Sequence, residues 1–523
     1  MLFAISLLAA AVHLLSGTGA PQVPPTQPAA VAAEPQIVVT GHSRTAIGMN
    51  LAGLNNGSAE LPFIDYMKLG GDPAKGLLAI PIAQGPVDLV LLYDGSTIPG
   101  YEEAPRGNAV SWNAMTPTGF SRGRIKFHSP AGGSVNLTVT HLDPANPIRN
   151  IRLIRAQDEV AFKQGEIFNP DFMAFIKAFS PLRTMDWTCT NGNTMTSWSE
   201  RPKPDDVVYG CAPIEVQVAL ANKAKSDLWL NIPALADDDY IAQVAAYVHD
   251  HLDPALKLHL EYSNEVWNGS FAQNKQAQAA ADKLWGNGAA VPWGAQVYQG
   301  YRSAQMMAIA QKAFGADAAS RLTGVLATFT WWIGPDVDDA LERGVAKAKL
   351  GTIDALFGEY AMTTYFGDAL GYYPGNEPDR PIVAAWAQSG AAGLDKAFQQ
   401  LEHGGLLKAD FSVDSLKPVL KIHAARAAKW HLKLVSYEGG PAWYYFASPD
   451  KGPLDAFFAA LLNNPRMKAV QLRSIAEFAA AGGVTDVHFN DVGHPGQFGP
   501  WPVVDRLGAT SPRLEALREL SAR

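Results

Sequence analysis

Along most of the chain, short apolar runs alternate with longer stretches whose apolar residues recur every three or four positions. That is the pattern of β-strands followed by amphipathic helices. Residues 47–52 are expected to form a first strand, and 62–67 read as the opening of a helix. The character then changes: from about 76 to 156, Gly and Pro punctuate short strands such as 88–93, 124–128 and 135–140, as in a small antiparallel sheet. From about 168 the strand and helix alternation returns. Further strands are expected at 182–187, 227–232, 257–262 with Glu265 just beyond, 322–330, within 353–366, at 433–438 and at 484–490. Asp237-Asp238-Asp239-Tyr240 reads as a helix start, its acids matching the positive end of the helix dipole. Eight strands with intervening helices predict an α/β fold, a (β/α)8 TIM barrel with a small antiparallel β domain inserted after the first βα unit.

The domain boundaries follow. Residues 2–15 are apolar and lead into small residues up to Ala20, and a Pro/Ala-rich stretch continues beyond. Residues 1–20 are therefore expected to be a signal peptide and 21–45 a flexible tether, although the start of the chain lacks the usual Lys or Arg. The apolar stretch is shorter than the ~20 residues that span a bilayer, so export is expected rather than stable membrane insertion. The first part of the barrel occupies 46–75, the inserted β domain 76–156 and the rest of the barrel 157–523.

Composition narrows the function. An apolar content of 47% supports a large core, while charged residues are only 18% and the net charge of −8 contains no run of one sign. A basic nucleic-acid footprint is absent. The 13 Trp and 16 Tyr suit either a core or the apolar faces of sugar rings. Two cysteines, Cys189 and Cys211, can close a loop as a disulfide in an exported protein or remain two buried thiols. No His or second Cys stands at ligand spacing near either, so no metal is expected, and no cofactor.

Two segments carry the chemistry. Ser263-Asn264-Glu265-Val266-Trp267-Asn268 and Tyr437-Glu438-Gly439-Gly440 each place a glutamate where an apolar strand runs out. In a parallel α/β barrel that rim is where active sites are built. Two carboxyls converging on one cleft suffice for glycoside cleavage, one protonating the leaving oxygen and the other attacking the sugar or directing water.

The Asn264-Glu265 pair, the later Glu438 and Arg183 on the second strand resemble the catalytic set of clan A retaining (β/α)8 glycoside hydrolases. Leu182-Arg183-Thr184-Met185-Asp186-Trp187, Asp237-Asp238-Asp239-Tyr240 and Glu261 to Gly269 also resemble a group of bacterial exported proteins labelled cellulose-binding, over about residues 47–500. The resemblance implies that Glu265 is the acid/base, Glu438 the nucleophile, and Asn264 a donor to the sugar 2-hydroxyl. Arg183 would hold Glu438 ionised, and Tyr365 would hydrogen-bond it, with Tyr360 competing for that role. Trp187, Trp229, Trp267, Trp331, Trp332, Trp443 and Trp501 fall near strand ends or rim loops; two or three are expected to be sugar platforms, with Trp187, Trp267, Trp443 and Trp501 the candidates, and the rest packing residues. Asn191 and Asn193 read more as turn residues than as sugar contacts, His259 as a core histidine, Glu261 as structural, and Glu359 as the rival carboxylate. The chain departs from the clan pattern at Asn231-Ile232-Pro233, where many members carry a histidine, and in lacking a tryptophan at the end of the eighth strand. The function expected is an exported retaining glycosidase, periplasmic or secreted, acting on a glycan, with a β-glucan-like ligand implied by the resemblance. The alternative is a carbohydrate-binding protein on a glycosidase-like barrel, which has little need for two carboxylates in one cleft. Oligomeric state is not legible in the sequence.

Overall fold

A computed structural model describes residues 45–522 apart from 55–61, 70–76, 83–85, 100–107, 122, 131–132, 288–290, 373–375 and 450. The expected signal peptide and nearly all of the tether lie outside the described residues. Eight parallel strands close into a barrel in chain order. They are β1 (Ala46–Asn50), β2 (Leu182–Arg183), β3 (Leu228–Ile232), β4 (Leu258–Tyr262), β5 (Leu322–Ala327), β6 (Glu359–Phe366), β7 (Lys433–Pro441) and β8 (Gly483–His488). β8 pairs back to β1, with Ile47 opposite Asp486.

Strand periodicity decides what faces the lumen. In β4, Leu258, Leu260 and Tyr262 join the large core shared with the helices, so His259 and Glu261 face inward. In β3 the same alternation sends Leu228, Leu230 and Ile232 outward. Trp229 turns inward, where it packs with Val325, Ala327, Ala361, Val435, Tyr437 and Val487. The lumen is thus a packed core and not a pore. Each outward Leu or Ile, fully buried, contributes about 1.5–3 kcal/mol, which holds the alternation in register. The helix Asp238–His251 starts as its acids require, the Asp237 side chain accepting from Tyr240 N at 2.7 Å. Such a cap is worth about 1 kcal/mol.

Two expectations need correction. Residues 62–67 do not open an α-helix: only one 3-10 turn forms, at Tyr66–Leu69. The segment before it is extended, Phe63 bridging to Phe168, and the Asp65 carboxylate takes the N–H groups of Met67 and Leu153. A side chain that satisfies backbone donors in this way competes with helix formation. The second strand is also shorter than expected. It stops at Arg183, and backbone bonds from Thr188 to Thr184 and from Cys189 to Asp186 turn the chain over the rim.

Between β1 and β2 lie two four-stranded sheets. One is ordered Leu77–Ile82, Gly133–His141, Asn108–Trp112, Thr97–Pro99, and the other Thr116–Ser121, Arg124–Ser129, Val87–Asp94, Arg149–Arg155. All neighbours run antiparallel except Thr97–Pro99 and Asn108–Trp112, which are parallel. In the second sheet Leu89, Leu91, Ile125, Phe127 and Leu153 share a core with Ile47 and Met49 of β1. The inserted sheet is therefore packed on the barrel wall. Among the described residues, no helix is long and apolar enough to cross a membrane.

The turn after β2 is tied by a disulfide between Cys189 and Cys211, whose Cα atoms are 5.5 Å apart. Closing a loop of this size stabilises the fold by on the order of 3 kcal/mol through the unfolded chain. Alkylation under denaturing conditions, read by intact mass, is expected to find no free thiol before reduction and two after it. Two thiols reacting without reductant would show that packing alone holds the loop.

Candidate active site

Arg183 is the centre of the site and is completely buried. Burial of an unpaired cation is prohibitive, yet every guanidinium N–H is engaged. Nη1 donates to Glu438 Oε1 at 2.8 Å and to Asn50 Oδ1 at 3.0 Å. Nη2 donates to Glu261 Oε2 at 2.9 Å and Asn264 Oδ1 at 2.9 Å, and Nε to the same Glu261 oxygen at 3.1 Å. One arginine from β2 thus gathers side chains from β1, β4, the rim beyond β4, and β7.

Glu438 reaches the lumen through a strand irregularity. In the β6–β7 pairing, Ser436 sits opposite Met362 while Glu438 sits opposite Thr363, so Tyr437 is an extra residue. Strict alternation would put Tyr437 and Glu438 on opposite faces; an added residue re-aims the second side chain. Tyr437 packs in the lumen core, and Glu438 beside it is 3% exposed. Its second oxygen accepts from Tyr365 Oη at 3.0 Å. Tyr360, the competing tyrosine, faces outward and bonds His423 Nδ1 at 2.9 Å.

Glu265 stands two residues past a left-handed turn, with φ of 57° at Ser263 and 41° at Glu265 itself. For side chains other than glycine this backbone costs about 1–2 kcal/mol each, and such strain collects at sites where surrounding packing holds it. Here it folds the chain back over the barrel mouth. Glu265 is 3% exposed; Oε2 accepts from Asn268 Nδ2 at 3.1 Å, and the buried Oε1 has no partner.

The two carboxyls are electrostatically distinct. Burial, and next the charge of Glu438, push Glu265 well above the ordinary carboxylate range. Burial also raises Glu438, but Arg183 and the Tyr365 hydroxyl pull it back. The Arg183 and Tyr365 donors on Glu438 favour its anion, and Glu265, with no cation on either oxygen, favours the protonated form. Tyr365 is raised well above its usual value, by burial first and then by Glu438, and remains a donor.

The remaining candidates divide. Asn264 is clamped: its carbonyl oxygen takes Arg183, and its amide donates to Asn191 Oδ1 at 3.1 Å, which leaves its second N–H for a ligand. Asn191 thereby orients the site instead of merely making a turn, helped by Gln273 Nε2 at 2.6 Å. Asn193 does serve a turn, accepting from Met195 N and donating to Thr188 O. Trp267 is buried against Phe329, rings 4.1 Å apart, and donates to Tyr437 Oη at 3.2 Å. Trp501 is half-buried and meets Phe489, whose ring in turn meets Tyr365.

Two of the expected sugar platforms are corrected by burial. Trp187, 1% exposed, is enclosed by Phe63 and Phe172 and donates to Ala52 O. Trp443, also 1% exposed, stacks on Phe458. Both pack the fold and offer no free face to a sugar. Glu359, the rival carboxylate, is the first residue of β6, away from the rim, and pairs with His259 Nδ1 at 2.8 Å. Burial lowers His259, but Glu359 and Asp227 outweigh it and raise the imidazole to about 9.

Sequence reasoning missed Asn50 and Tyr437, and placed Asp186 only as a possible structural partner of Arg183. Asn50 is the last residue of β1, where a polar side chain on a buried strand was the available signal. Asp186 lies in the turn after β2, and burial followed by the nearby Glu438 charge pushes it to about 7.

The chain is similar to several solved glycosidase structures. A 4-O-α-L-rhamnosyl-β-D-glucuronidase from Fusarium oxysporum 12S is 12% identical with a TM-score of 0.35, over 65% of this chain and 60% of that one. GH10 from Paenibacillus barcinonensis is 10% identical with a TM-score of 0.37, over 68% and 92%. A double mutant of the β-glucosidase from Trichoderma harzianum is 10% identical with a TM-score of 0.37, over 66% and 86%. No family model and no curated protein matches the sequence.

Proposed function

We propose that the protein is a retaining glycoside hydrolase, with Glu438 as nucleophile and Glu265 as acid/base. The observation that carries this reading is the asymmetry of the buried pair: Glu438 is held by Arg183 at 2.8 Å and Tyr365 at 3.0 Å, whereas Glu265 keeps an unpartnered oxygen. A carboxylate tethered on both oxygens is positioned for attack, and a carboxylic acid with one free oxygen is positioned to give up a proton.

In the first step a Glu438 oxygen bonds the anomeric carbon as the glycosidic C–O bond breaks, and the departing oxygen takes the proton of Glu265. In the second, Glu265 as carboxylate removes a proton from water, whose oxygen displaces Glu438 and restores both groups. Tyr365 and Arg183 keep Glu438 oriented throughout. Asn264, with one N–H unused, donates to the sugar 2-hydroxyl, a contact that strengthens as charge develops on the ring. Trp267 and Trp501 flank this centre.

The substrate is a polysaccharide or oligosaccharide, of β-glucan type as the resemblance implies. The Cys189–Cys211 pair supports action in the periplasm or outside the cell. NMR of the product formed in the first minutes of turnover is expected to show the anomer of the substrate's own configuration, because two inversions restore it. An initially inverted anomer would overturn double displacement.

A further inference from the structure

Arg183 binds two carboxylates, and only Glu438 takes part in the mechanism above. Glu261 holds the opposite edge of the guanidinium, receiving Nε and Nη2 on one oxygen, Oε2, which also accepts Trp229 Nε1 at 2.8 Å. Its other oxygen, Oε1, is buried and has no partner. Three donors converge on a single oxygen of a residue that is 1% exposed. A merely structural role would be met equally well by an amide or by packing, since a buried ion pair often breaks even against apolar residues. A charge-balancing role requires the carboxylate itself.

We propose that Glu261 is a positioning and charge-setting residue: it takes up part of the Arg183 charge, so that the guanidinium orients Glu438 without quenching its nucleophilicity. The inference rests on the reading of Glu438 as nucleophile. The physical basis is arithmetic of charge among buried side chains. Arg183 alone with Glu438 would be a neutral pair, and the attacking oxygen would be tied to a full cation. With Glu261 the trio carries one net negative charge. Glu261 also lies within the electrostatic reach of both Glu265 and Glu438 and raises both.

Glu261→Gln retains an oxygen to accept from Arg183 and removes the charge. Both limbs of the pH–rate profile are expected to move to lower pH, the acid limb by about 1 unit or more, and kcat at the optimum to fall with KM little changed. Loss of a structural contact would lower the melting temperature and the rate but leave the limbs in place. A turnover-independent readout is the carboxyl titration of 13C-Glu-labelled protein, with the Glu438 signal identified by its absence in Glu438→Gln. It is expected to move down in step.

If the Glu438 signal moves but the wild type cleaves no glycan in a panel, the electrostatic coupling of Glu261 to Glu438 stands, while the hydrolase reading and the catalytic meaning of that coupling fail. If the wild type cleaves with retention and neither the limbs nor the Glu438 signal moves in Glu261→Gln, this inference is overturned and the hydrolase reading stands. Should Glu261→Gln not fold, Trp229→Phe decides: it removes the indole N–H from Oε2, leaves Glu261 less screened, and is expected to move the Glu438 signal to higher pH. An unmoved signal there overturns the proposal.

Discussion

Glu438→Gln is expected to lower kcat by a factor of about 10^4 or more on any glycan the wild type cleaves, while the melting temperature and glycan affinity stay close to wild type. The amide cannot form the glycosyl ester, yet its oxygen can still accept from Arg183. The fold survives because Arg183 keeps an anion in Glu261, 2.9 Å away, so the change does not strand a buried cation. Steady-state kinetics beside a thermal melt and a binding isotherm make the test. Near-native turnover in the variant would remove Glu438 from the nucleophile's role.

Glu265→Ala should behave differently, because its task depends on the leaving group. Natural glycosides need their departing oxygen protonated and should slow by about 10^2–10^4-fold. Activated aryl glycosides leave as stable anions, so their first step should change far less. The pH dependence has a definite sign. Turnover in the wild type needs Glu265 protonated and Glu438 ionised, so it falls as pH rises through the raised value of Glu265 and as pH falls through that of Glu438. The alanine variant should lose the alkaline limb and keep the acid one. Equal losses on both kinds of substrate, with the alkaline limb intact, would assign the proton to another group.

Much of the barrel was legible because its outer face is a repeated solution to one problem. Leu258, Leu260 and Tyr262, or Leu228, Leu230 and Ile232, alternate with residues that turn inward, and helices follow the strands from β3 onward. Glu265 was legible as a carboxylate just past a strand end, whereas Glu438, expected to close its strand, lies inside β7, which runs on to Pro441. Trp187 and Trp443 were misread because an aromatic near a strand end looks the same whether it faces a sugar or Phe63 and Phe172. Only packing distinguishes them. The helix expected at 62–67 failed for a related reason: Asp65 satisfies backbone donors at Met67 and at Leu153, and the second is 88 residues away.

The sequence by itself determined the fold class, the order of the eight strands and the chemical types at their ends, since these depend on local periodicity and turn chemistry. The resemblance implied the roles of Glu265 and Glu438, but only the tertiary structure supplies the environments that set the two carboxyls apart. That difference needs Arg183 from β2, Asn50 from β1, Tyr365 from β6 and Glu261 from β4 to meet around one buried guanidinium, and it needs the extra residue at Tyr437 to turn Glu438 inward. Charge states in a closed cleft follow from distance and burial, which a linear order of residues does not contain.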